Sequence, residues 1–188
     1  MSTTTTSPAT AVPAGTWSVD PAHSKVGFAV KHMGIATVRG EFTEFEGTLE
    51  IAEDLSSAKA YGTVKATSVD TNEPQRDDHL RSPDFFDVAQ YPELRFESTS
   101  VEALDDEEFR ITGKLTIHGV TNDVVLHADL QGTDIDPWGN ERVGLEVTGQ
   151  LSRGDYGMKF NQALGSGNML VADKVKLALD ISAVKQSS

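Results

Sequence analysis

Apolar residues in the stretch "SKVGFAVKH", residues 24–32, recur at every second position. Val26, Phe28 and Val30 share a side with Ser24 and His32, while Lys25, Gly27, Ala29 and Lys31 take the other. Successive side chains of a strand point to opposite faces, so this period marks a strand with one dry face. "EEFRITGKLTIHG" repeats it, with Phe109, Ile111, Gly113, Leu115 and Ile117 on the dry side and Arg110, Thr112, Lys114, Thr116 and His118 on the wet side. The alternation continues through Val124, Leu126, Ala128 and Leu130, through Val143, Leu145, Val147 and Leu151, and through Val175, Leu177, Leu179 and Ile181. Three less regular segments, "TVRGEFTEFEGTLEI", "AKAYGTVKATSVD" and "ELRFESTSVEAL", bring the total to about eight strands. In the first of these, Phe42 and Phe45 lie three apart between Gly40 and Gly47, which predicts a bulge or sharp coil.

Short turn signals such as "HGVTND" and "DPWGN" join the segments and imply antiparallel neighbours. A single sheet of this kind would leave its apolar face bare, so the chain must fold into two layers or close into a barrel. A barrel of about eight strands has room for one small or elongated ligand, provided that side chains do not fill it. Gly62, Gly113 and Gly149 fall at or beside inward positions and point to open space. The alternation alone is equally compatible with a sandwich.

The stretch "NEPQRDDHLRSPDFF", residues 72–86, breaks the period of two. Asn72 and Gln75 have capping-box spacing, with Pro74 in the first turn, and Ser82 caps a second short turn opened by Pro83. Asp77 and Arg81 stand four apart and are expected to pair on an exposed face. Leu80, Phe85 and Phe86, with Val88 and Tyr91, supply an apolar underside, so the stretch predicts a helical lid over one barrel end. Asp77, Asp78 and His79 are ligand types for a metal, but consecutive helical residues diverge in direction, and no H-E-x-x-H spacing occurs. No metal is assigned.

At 188 residues the chain suits one domain, expected over residues 16–185, with tails at 1–15 and 186–188. The Thr/Ser/Pro-rich start has too little apolar surface to offset its ordering entropy and reads as disordered. A net charge of −13 argues against a nucleic acid or an anionic membrane as partner. The absence of cysteine excludes disulfides, thiolate nucleophiles and cysteine-based metal sites. No run approaches the roughly 18 apolar residues of a membrane-spanning helix, and the N-terminus lacks a basic, apolar leader, so a cytoplasmic protein is expected. There is no G-x-S-x-G elbow, and "LGSGN" lacks the context of a phosphate loop. His23, His118 and His127 sit in a turn or on outward phases, whereas His32 continues the inward row of Val26, Phe28 and Val30. In "RGDYGMKFN", Arg153 and Asp155 leave a strand for a glycine-bracketed loop carrying Tyr156, Met158 and Phe160, which either packs or rims the cavity. A binding module is favoured, with no catalytic residues. The alternative is an enzyme acting on the pore's ligand through carboxylates and His79 at the barrel mouth.

In order along the chain, "WSVDPAHSKVGFAVKHMGIATVRGEF", "SVDTNEPQRDDHLRSPDFFDVAQYPELRF", "GKLTIHGVTNDV", "RGDYGM" and "VADKVKLALDI" resemble the YceI-like family of polyisoprenoid-binding, lipocalin-like proteins, over about Trp17 to Ala183. The resemblance implies an all-β fold: an eight-stranded antiparallel lipocalin-like barrel with a short helical segment near one end. It further implies a polyisoprenoid or isoprenoid-quinone-type lipid in the pore, no required cofactor, and compatibility with a homodimer. Many relatives are periplasmic. The pore is then expected to be lined by Val26, Phe28, Val30, Phe42, Val64 and Phe96, by Phe109, Ile111, Leu115, Ile117 and Leu126, by Leu145, Val147, Leu177 and Leu179, and by Leu80, Phe85 and Phe86 of the lid. His32, Arg76, His79 and Arg153 are candidates for the lipid's head group, a pyrophosphate or quinone oxygen.

Overall fold

The computed structural model describes residues 12–162, 164–166 and 169–186. Its strands are β1 (Gly15–Val19), β2 (Lys25–His32), β3 (Ala36–Phe42), β4 (Phe45–Ile51), β5 (Lys59–Lys65), β6 (Val69–Asp70), β7 (Glu93–Ala103), β8 (Glu108–Ile117), β9 (Val120–Ile135), β10 (Glu141–Ser152) and β11 (Val171–Lys185), with one helix, α1 (Pro74–Arg81). Neighbours are antiparallel, and β1 pairs with both β4 and β11, which closes the sheet on itself.

Two of the barrel's staves are each broken once. β1 and β2 lie in tandem along β11, with Trp17 opposite Lys185 and Val26 opposite Leu179. Across from them β3 and β4 lie in tandem, with Phe42 opposite Val26 and Leu49 opposite Trp17. The break in the first stave is a single 3₁₀ turn, Pro21–His23, whose Asp20 carboxylate accepts the Ala22 N–H. The break in the second falls at Thr43–Glu44, between the two phenylalanines whose spacing predicted it. Residues three apart on a regular strand face opposite ways, yet here both Phe42 and Phe45 line the interior. Counting each tandem as one stave, the ring has eight, and the closure excludes a sandwich.

The inward glycines do not leave the open space expected of them. A Cβ at Gly113 would lie 2.6 Å from the Phe96 ring, and one at Gly149 would lie 2.7 Å from a Leu126 methyl. Larger neighbours have moved into both gaps, so these glycines shape the wall. At Gly62 a Cβ would meet the Glu46 carbonyl oxygen at 2.5 Å, where the β4 backbone comes close.

Order begins before Gly15. Residues 1–11, most of the expected tail, lie outside the described residues, as do 187 and 188. Val12 is buried against Trp17, Val143 and Ala183, and the Trp17 Nε1–H donates to the Pro13 carbonyl at 3.0 Å. One apolar residue in a polar stretch gives a weak periodic signal, which is why this anchor was not anticipated.

The β9–β10 turn is tied to the first break by one arginine. Asp136 accepts the N–H groups of Trp138 and Asn140, and Arg142 bridges Asp136 at 2.8 Å and Asp20 at 2.9 Å. The Arg142 guanidinium pulls both carboxyls from the ordinary 3.8 down to about 2. A carboxyl whose pKa falls on folding contributes stability above its unfolded value and loses that contribution as pH drops through its folded value. Stability should therefore fall between pH 3.8 and about 2. Arg142→Gln should lower the melting temperature at pH 7 and flatten that acid limb, as thermal melts over a pH series will show.

Candidate ligand-binding site

The lid is fastened by buried polar contacts that differ from those read in the sequence. Glu73 caps α1 and its carboxylate accepts the Gln75 N–H; Asn72, the expected cap, instead turns the chain with a left-handed φ of 64°. Asp77 does not meet Arg81. It is buried and accepts both the N–H and the hydroxyl of Thr71, at 2.8 and 2.5 Å. Arg81 pairs with Asp78 and donates to the carbonyls of Thr67 and Val69. The physical reason is the position of β6: Thr71 directly follows it and offers Asp77 a dry, paired site, whereas Arg81 reaches sideways to the same strand. Ser82 caps the following turn as expected, accepting the Asp84 N–H.

Beneath the lid lies an outer cavity of about 410 Å³, and deeper in the barrel an inner one of about 220 Å³. Phe28, Phe42, Leu94, Ile117, Leu151 and Leu177 belong to the walls of both, so the two are chambers of one pore separated by a waist. A third space of about 50 Å³, near Val12, shares Leu49, Ala60, Ile111 and Leu145 with the inner chamber.

The expected pore residues distribute over these walls. Val26, Val64, Phe96, Leu115, Leu126, Val147 and Leu179 face the inner chamber, and Val30, Leu80, Phe85 and Phe86 the outer. Phe28, Phe42, Ile117 and Leu177 form part of the waist. Ile111 and Leu145 reach from the inner chamber to the far space, and Phe109 lines only the latter. Met158 and Phe160 line the outer chamber, the second of the two readings left open for their loop; not anticipated as wall were Val38, Leu170, Val171 and Leu94, although Leu94 is in phase with Phe96. Met158, Phe160 and Leu170 come from an irregular segment, where no period marks which residues face inward.

Aromatic edges join lid to wall. The Phe86 ring meets Phe42 at 5.6 Å, and His79, Phe85 and Phe160 form a mutual cluster with centroids 4.9–5.4 Å apart.

All four head-group candidates line the outer chamber, together with Thr71 and Gln75, and none of its described wall residues is an Asp or Glu. Their availability differs. Arg153 is 5% exposed and donates to the carbonyls of Ala172, Met158 and Val171, with its guanidinium 5.9 Å from the Phe85 ring centre. Burial lowers its pKa from the ordinary arginine value, opposed by the nearby Asp173 charge. Its main work is holding the segment after β10 onto β11. Arg76 is exposed and donates from Nε and one Nη to Thr71, leaving the other Nη for a ligand. His79 is paired through Nε2 with Asp84 at 2.8 Å. His32 ends β2 at the rim, half-buried.

On the outer surface of the barrel, Glu108, His127 and Asp129 place ligand-type atoms within 4.8 Å of one another. Both carboxylates lie 3.7 Å from the imidazole, partly exposed and away from the pore walls.

The YceI-like domain model matches residues 17–183. Protein YceI of Escherichia coli O157:H7 is 41% identical over 165 residues, covering 87% of this chain and 83% of its own. The YceI protein of Campylobacter jejuni, a solved structure, superposes with a TM-score of 0.72 at 30% identity, over 89% of this chain and 96% of that one. A polyisoprenoid-binding domain from Saccharophagus degradans, implicated in plant cell wall breakdown, shares the fold with a TM-score of 0.67 at 16% identity, over 90% and 98% of the two chains. The barrel with its two-chambered pore and helical lid is thus that of a member of the YceI-like family.

Proposed function

We propose that this protein holds a long polyisoprenoid or isoprenoid-quinone-type lipid without altering it, the chain threaded from the outer chamber past the waist and the head group beside Arg76. Carriage, storage and sequestration would all use this site. The observation that carries the proposal is the pair of apolar chambers meeting at a waist under a lid whose cations face no wall carboxylate. An elongated apolar chain gains about 0.8 kcal/mol for each methylene-sized group taken out of water, so such a pore binds it with few polar contacts. The Saccharophagus degradans domain, of the same fold, is named for polyisoprenoid binding, which supports the reading. The acid–base alternative lacks a carboxylate in the chamber, because no Asp or Glu is among its described wall residues.

Mass spectrometry of a solvent extract of the freshly purified protein tests this directly. A near-stoichiometric prenyl lipid is expected, and it should be unchanged after incubation with the protein. An empty barrel that also refuses added prenyl alcohols and quinones would overturn the proposal, and a converted lipid would establish the enzyme instead. Arg76→Ala should weaken a prenyl pyrophosphate by about tenfold or more relative to the uncharged alcohol, the worth of a charge-assisted hydrogen bond. An unchanged preference in paired titrations would remove Arg76 from the head-group site and leave the pore assignment standing.

A further inference from the structure

The rim of the outer chamber carries exposed apolar side chains. In the β2–β3 turn, Met33 and Gly34 adopt left-handed φ values of 57° and 73°, and Ile35 stands 79% exposed beside Met33 at 38%. The Met33 N–H donates to the Leu170 carbonyl at 2.9 Å, which sets this tip against the segment bearing Met169, 48% exposed. On the inner side of these same two segments, His32, Leu170 and Val171 form chamber wall. The apolar tips therefore stand where the chamber meets solvent.

Charge at this rim departs from the average of the chain. Asp and Glu number 29 in 188 residues, yet residues 25–40 and 156–172 contain neither. They do contain Lys31, Arg39 and Lys159, all exposed and, among the described residues, in no ion pair. Of the acids bordering these segments, Asp78 pairs with Arg81 and Asp84 with His79, whereas Glu73, Asp155 and Asp173 are in no ion pair among the described residues; Glu73 accepts the Gln75 N–H, and Asp173 accepts from Ser152 and the Gly154 N–H. The net charge of −13 speaks against an anionic partner only on average. β11, with 15 residues at about 3.3 Å each, spans several Debye lengths, so acids at the far end are screened from whatever meets the rim.

We infer that this end of the barrel docks on an anionic lipid bilayer. Met33, Ile35 and Met169 enter the head-group layer, and Lys31, Arg39 and Lys159 lie against lipid phosphates. The inference rests on the lipid-binding reading above and adds the surface from which the chain is loaded. A prenyl chain crossing water between bilayer and pore is disfavoured about fourfold for every methylene exposed, whereas a docked rim lets it slide from one apolar phase to the other.

Co-sedimentation with vesicles, without prenyl lipid, tests docking independently of ligand binding. The wild-type protein should pellet with phosphatidylcholine–phosphatidylglycerol vesicles, release with added salt, and pellet little with phosphatidylcholine alone. Ile35→Asp with Met169→Asp, and separately Lys31→Glu with Arg39→Glu, should each reduce pelleting by about tenfold and slow prenyl transfer from vesicles. Both double variants should bind a prenyl alcohol delivered in detergent as the wild type does. Wild-type protein that ignores vesicle charge, or variants that load from vesicles at the wild-type rate, would overturn the docking. So would sedimentation velocity without vesicles showing a dimer that the Ile35→Asp, Met169→Asp change dissolves, since the rim would then bind a second copy. Failure of the wild type to bind prenyl alcohol in detergent would instead sink the lipid-binding reading, whatever the vesicles show.

Discussion

Leu177→Trp is expected to shorten the longest prenyl chain the barrel accepts while sparing shorter ones. Leu177 lies on β11 opposite Phe28 and Gly149, at the waist shared by the two chambers. The Phe28 and Phe42 rings already stand 5.6 Å apart there, so an indole would close the passage and leave the outer chamber of about 410 Å³ as the only room. Each isoprene unit turned out into water forfeits about 3–4 kcal/mol, at roughly 0.8 per methylene-sized group, which is a loss of about 100-fold or more in affinity. Overpacking should cost about 1–3 kcal/mol of stability, small enough to leave the protein folded. Calorimetric titration with prenyl alcohols of increasing length will check it. If the length dependence matched wild type, the chain would not pass the waist, and the threaded arrangement would be wrong.

Trp17→Ala should produce the largest loss of stability, about 3–5 kcal/mol. Trp17 is fully buried and packs with Val12, Val143 and Ala183, with Leu49, Ile51, Leu130 and Leu145 around them. With Ser18 it is one of the two residues of β1 paired with β4 on one side and β11 on the other. Removing it opens a void at the seam where the barrel closes. A domain of this size has about 5–15 kcal/mol in total, so the melting temperature should drop by about 10 °C. Hydrogen exchange should quicken first in β1 and in the last residues of β11. Uniform acceleration across all strands would show that the seam is no weaker than the rest of the wall.

The staves were legible because each dry face repeats every second residue, and Leu126, Val147 and Leu177 fell inward on that ground alone. Closure was legible only through the family resemblance, since β1 meets β11 across nearly the whole chain and no local pattern encodes the pairing. On the lid, the Ser82 turn could be read from its Ser-Pro signal. The choice of Glu73 over Asn72 as cap could not, because it depends on the turn that brings the chain out of β6. Arg153 looked like a ligand contact from its place at a strand end. Its burial follows from the meeting of the Met158, Val171 and Ala172 carbonyls around it, which no local period encodes. The same lack of period left the loop of Met158 and Phe160 readable either as packing or as rim, and concealed Leu170 as wall.

The seam at Trp17 also sets the order of assembly. Pairing β1 with β11 joins segments at opposite ends of the chain, a contact whose loop-closure entropy must be met before it brings any gain. During synthesis the strands from β2 through β10 can pair with sequence neighbours as they emerge, but β11 comes last. Until then the nascent barrel is an open trough, its greasy floor exposed along its length. Enclosure of the pore therefore waits for β11, whose two edges pair with β10 on one side and with β1 and β2 on the other.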